Sequence, residues 1–111
     1  MVPVSALCTV VGAIDESLAA LEVEAGYRVD CGVGTGEVFV RGPESLAFLR
    51  RLRTVAECAG GSLVLLWGWQ DLGGAFDAWG GPPASIVLCR RLKEHFDAKN
   101  TLNPGRYVGG I

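Results

Sequence analysis

The stretch Tyr27 to Arg41, YRVDCGVGTGEVFVR, decides the fold. Tyr27, Val29 and Cys31 alternate with Arg28 and Asp30, and after a glycine cluster Val38, Phe39 and Val40 sit between Glu37 and Arg41. Period-two alternation on both sides of a Gly-rich turn is the pattern of a β-hairpin. The same glycines, Gly32 to Gly36, also invite a nucleotide-binding reading. A pyrophosphate loop must lead into a helix whose N-terminus holds the anion, and here EVFVR has the composition of a strand. The hairpin turn is therefore the preferred reading.

Upstream, Ser5 to about Val23 places Ala6, Val10, Ile14, Leu18 and Leu21 on one helical stripe, with Gly26 as its stop. Downstream, Gly42-Pro43-Glu44 opens a second helix with Leu46, Leu49, Leu52, Ala56 and Ala59 on one face, closed by Gly60-Gly61. The apolar run SLVLLWGW that follows, Ser62 to Trp69, reads as a covered strand. Asp71 to Pro83 is a long Gly- and Pro-rich loop carrying Phe76 and Trp79. A last helix is expected from Ser85 to about Asp97, with Leu88, Leu92 and Phe96 in line. The order helix, strand, strand, helix, strand, helix is that of an α+β, ferredoxin-like antiparallel sheet with helices on one face. Its first strand is missing or lies outside this chain. One domain over residues 1–111 is expected.

The net charge is -2 and no run of Lys or Arg is long enough to follow a phosphate backbone, which argues against nucleic acid as a partner. The apolar N-terminus lacks a basic flank and is interrupted by Asp15 and Glu16, so neither a signal peptide nor a membrane span is expected. Cys8, Cys31, Cys58 and Cys89 form no CxxC pair and the chain has one His, a poor set for zinc. Buried, reduced thiols in a cytoplasmic protein are expected.

No catalytic constellation emerges. His95, between Glu94 and Phe96, reads as a solvent-facing helix residue with neither a nucleophile nor a second ligand beside it. Asp71 and Asp77 near Trp67, Trp69 and Trp79 could line a pocket, although tryptophans in Gly-rich loops more often serve packing. The C-terminal LKEHFDAKNTLNPGR, Leu92 to Arg106, is more specific. Asp97 can end the helix, Pro104 fixes φ, Gly105 permits a positive φ or a close backbone approach, and Arg106 adds a permanent cation. The chemistry alone allows two uses, docking onto another surface or stapling the tail to its own domain.

The segment LKEHFDAKNTLNPGRYV resembles the C-terminal signature of flavin-dependent oxidases of the vanillyl-alcohol oxidase and p-cresol methylhydroxylase superfamily, in which LKxxFD is followed by NPG and Lys or Arg. VPVSAL, VDCGVGTGEVFVRG, AGGSLVLL and WGG extend the similarity, most of all to FAD-binding subunits of glycolate oxidases. Ala98 stands where that family usually has Pro. The resemblance implies a cap over the flavin, with Asn103, Pro104, Gly105 and Arg106 close to the cofactor. It implies oxidation of a 2-hydroxy acid such as glycolate by hydride transfer to FAD. The FAD-binding domain would lie outside these residues and, with other oxidase subunits, would be the partner; those subunits could place the chain at the membrane periphery. No catalytic residue, no metal, no flavin and no turnover are expected of this chain alone. A separate possibility is an autonomous ferredoxin-like binding or regulatory module that dimerises through its sheet. Either reading allows a homo-oligomer, because an open sheet edge or an uncovered apolar surface tends to pair.

Overall fold

The computed structural model describes residues 1–68, 71–72 and 74–111. Among these, the architecture is α+β, with a two-stranded antiparallel sheet and three α-helices, as in a ferredoxin-like fold lacking a strand. Two compact units are formed, Met1–Asp77 and Ala78–Ile111.

In the first unit a short 3-10 turn, Val4–Ala6, leads into α1, Leu7–Ala20. The helix stops earlier than Val23, and the expected stop, Gly26, lies within β1, Glu24–Asp30. The hairpin is present. β1 pairs with β2, Thr35–Arg41, in a register that sets Tyr27 against Val38 and Arg28 against Glu37, and the latter two form a 2.7 Å ion pair. The glycine cluster is its turn: Gly34 N–H returns to Asp30 O, and the Asp30 carboxylate accepts Gly32 N–H at 2.8 Å. No helix follows it, so no phosphate cradle exists there.

Helix α2, Ser45–Cys58, begins after Pro43. Glu44 stands at the N-cap, and its carboxylate accepts Glu22 N–H at 2.6 Å, pinning the link between α1 and β1. At the other end Gly60 N–H bonds Glu57 O and Gly61 N–H bonds Ala56 O, the paired closure of a Schellman end. The core joins Ile14 of α1 with Phe48, Leu49 and Leu52 of α2 and with Phe76, backed by Ala25, Val38 and Val40 of the strands. Both helices thus cover one face of the hairpin. Phe48, outside the expected stripe, is fully buried.

Residues 62–68 depart from the expected strand. Leu63 and Leu65 turn to the core while Val64 and Leu66 are exposed, so the alternation of a strand is kept, yet among the described residues no ladder forms along this segment. Trp69 lies outside the described residues. At the start of this segment Met1 and Ser62 exchange two 2.8 Å backbone hydrogen bonds, and at its end Gly68 O accepts Asp71 N–H at 3.1 Å. Farther on, Phe76 enters the core beneath the Arg53 guanidinium, 3.8 Å from its ring centroid, and Arg50 holds Ala75 O at 3.1 Å. The loop is therefore anchored on α2.

The second unit contains α3, Ile86–Phe96. Its expected stripe is exposed: Leu88, Leu92 and Phe96 all face solvent, and no residue of α3 is buried. The thiols also differ from expectation. Cys8, Cys31 and Cys58 are exposed, Cys89 is half-buried, and all four are free.

Candidate functional site

The C-terminal segment is built on Asp97. Its N–H closes α3 on Lys93 O, and its side chain then organises the next turn: one carboxylate oxygen accepts Thr101 N–H at 2.9 Å and the Thr101 hydroxyl at 3.0 Å, the other accepts Leu102 N–H at 2.9 Å. Lys93 Nζ pairs with the same carboxylate and also donates to Leu102 O. The Lys93 ammonium, followed by the Thr101 and Leu102 amides, holds the carboxyl well below the usual carboxylate range. A charged residue at the end of the helix thus becomes the anchor of the tail.

From this anchor the chain enters Asn103-Pro104-Gly105-Arg106. Arg106 N–H bonds Asn103 O at 3.2 Å, Pro104 holds the second position, and Gly105 has φ +72°. Pro followed by a positive-φ residue within an i to i+3 bond is a type II turn. A β-carbon at Gly105 would meet nothing within 4 Å of this chain, so within the turn itself the glycine supplies the positive φ. Asn103 also takes positive φ, at 44°, a conformation Asn tolerates better than most residues.

The turn rests on an aromatic platform. Trp79 donates its indole N–H to Arg106 O at 3.0 Å, and the Tyr107 ring meets Trp79 edge-on with centroids 4.9 Å apart. Trp79, Leu92, Lys93, Asn103, Arg106 and Tyr107 line a cleft of about 670 Å³. The structure therefore brings Asn103 and Arg106 to one cleft, with Pro104 and Gly105 exposed at its edge. Asp97, Lys93 and Trp79 as supports were not foreseen; the spacing of Asp97 to Thr101, an Asp preceding a Thr by four residues, is the signal that could have marked the first.

His95 is exposed against the Phe96 ring, 5.0 Å away. Asp71 and Trp67 line a cleft in the first unit, Asp77 lies in the field of Arg53, and Trp79 belongs to the second unit. Among the described residues no group of three or more His, Cys, Asp or Glu could hold a metal, and no helix is long and apolar enough to cross a membrane. No family model, no curated protein and no solved structure matches the chain.

Proposed function

We propose that this chain is the C-terminal cap region of an FAD-dependent oxidoreductase acting on a 2-hydroxy acid such as glycolate, inactive alone. The observation that carries this reading is the type II turn Asn103 to Arg106, held on Trp79 and Tyr107 and placed at the end of the LKEHFD helix. An Asn side-chain amide and a permanently charged guanidinium suit the edge of a flavin ring that is rich in acceptors. The glycine cluster at 32–36 is a hairpin turn with no helix N-terminus behind it, so holding the dinucleotide falls to a separate FAD-binding domain. The flavin, when bound, supplies the acceptor for the hydride of the hydroxy acid. The part of this chain is to cover, to position the Arg106 charge and to exclude water.

The test is a chimera in which this chain replaces the corresponding C-terminal region of a glycolate oxidase FAD-binding subunit. Retained flavin and glycolate oxidation, both lowered by Arg106→Ala, are the expected results. An isolated chain that purifies yellow with about one flavin, or a chimera that folds and holds flavin identically with Arg106→Ala, would sink the reading.

A further inference from the structure

A second cleft, of about 1210 Å³, lies in the first unit, larger than the usual site for a small ligand. One wall is β2, which contributes every residue from Gly36 to Arg41; the other is the extended segment Ser62 to Gly68. Its floor is apolar, formed by Ile14 and Leu18 of α1 and Leu49 and Leu52 of α2. Among the described residues β2 is bonded to β1 on one side only, and residues 62–68 keep strand alternation without a ladder. Two backbone edges thus face a trough with an apolar base.

Residues 1 and 2 show what such a trough receives. Met1 and Ser62 exchange both backbone hydrogen bonds, the signature of an antiparallel pair, while Val2 N–H bonds Gly34 O at 2.8 Å. The backbone at this mouth therefore pairs with both walls at once. Glycine makes the fit: a β-carbon would lie 2.1 Å from Val2 O at Gly34 and 2.3 Å from Met1 O at Gly61. Both walls leave from this end, 34 toward 41 and 62 toward 68, and so run the same way. A strand whose C-terminal end meets Met1 is antiparallel to both.

We propose that this cleft is a strand acceptor, taking one extended segment of another polypeptide between β2 and residues 62–68, antiparallel to each, with apolar side chains at alternate positions. Six residues opposite Gly36 to Arg41 would span about 20 Å. Their inward side chains meet Ile14, Leu49 and Leu52 and must be apolar, while the backbone satisfies both edges. The pairing turns 62–68 into a strand and gives a four-stranded sheet. This proposal does not rest on the flavin reading.

The experiment adds a ten-residue peptide of alternating valine and threonine, with a terminal lysine pair for solubility, to the full chain. Amide hydrogen exchange is followed residue by residue. Saturable binding with new protection on both walls, at alternate amides within 36–41 and 63–67, is expected. The same peptide N-methylated at alternate residues along one edge loses hydrogen bonds without losing apolar area, and should bind at least about tenfold more weakly. Equal binding of the methylated peptide, protection on the β2 wall alone, or no binding overturns the proposal. So does a peptide-free chain that is dimeric by sedimentation with these amides already protected, which would make a second copy the occupant.

Discussion

Val2 and Gly34 are in backbone contact so close that no side chain fits between them. Val2 N–H donates to Gly34 O at 2.8 Å, and a β-carbon on residue 34 would stand 2.1 Å from Val2 O. The glycine that suggested a nucleotide loop is there for the passage of residues 1 and 2.

Gly34→Ala is accordingly expected to destabilise the first unit by about 2–3 kcal/mol, combining the strain of φ +71° with a displaced strand end. Gly32→Ala is the control. Its β-carbon would approach only the Asp30 side chain, at 3.2 Å, and should cost less than about 1 kcal/mol. Urea unfolding of the two variants separates them, and equal losses would count against a specific contact at residue 34.

Phe48→Ala should be the most damaging single truncation, at about 3–5 kcal/mol, since Phe48 has no exposed surface and touches both helices and strands through the core. Leu92→Ala, at a half-exposed position of α3, should stay within about 0.5 kcal/mol. Thermal unfolding of both variants measures the contrast. A loss at Leu92 comparable to that at Phe48 would mean that the α3 stripe is covered in solution.

Asp97 makes the tail sensitive to acid. Its folded pKa is depressed, by the Lys93 ammonium first and by the Thr101 and Leu102 amides next, so the stabilisation it contributes is present above the unfolded value of 3.8 and is lost as pH falls from there toward the folded value. Exchange at the Thr101 and Leu102 amides, corrected for its intrinsic pH dependence, should speed up as pH falls below about 4. Asp97→Asn should show fast exchange at neutral pH and no such acid transition. An unchanged pH profile in the variant would remove Asp97 from its anchoring role.

Gly105→Val is expected to cost about 1–2 kcal/mol locally, because a β-branched residue at φ +72° is strained although the space around it is open. That exceeds the loss a merely exposed position would suggest. Gly105→Asn, which tolerates the left-handed region, should recover most of it. Fluorescence of Trp79, whose indole is bonded to Arg106 O, reports the turn, and identical behaviour of Val and Asn at this position would show that φ is not what the glycine supplies.

Modification by an aromatic disulfide reagent under native conditions should label Cys8, Cys31 and Cys58 rapidly and Cys89 more slowly. Mass spectrometry of the labelled peptides checks the order. Four uniformly protected thiols would restore the buried state expected from their apolar neighbours.

What the sequence by itself determined is local. The hairpin from 24 to 41, the three helices and the stop at Gly60-Gly61 follow from side-chain period and from hydrogen bonds closed within a few residues. The Asn103-Pro104-Gly105-Arg106 turn was legible for the same reason: Pro fixes φ and Gly admits a positive φ wherever they stand. Tertiary structure decided the rest. A strand needs another backbone along its length, so among the described residues the apolar run at 62–68 keeps its alternation but forms no ladder, Met1 pairing with it at Ser62 alone. Phe48, one position beside the expected stripe, became the centre of the core because the core of the first unit is approached from both α1 and the hairpin. The exposure of the α3 stripe and of three thiols, and the folding of the 97–102 turn around Asp97, likewise depend on which surfaces meet; side-chain period cannot encode that, because it says which residues share a face and not what covers it.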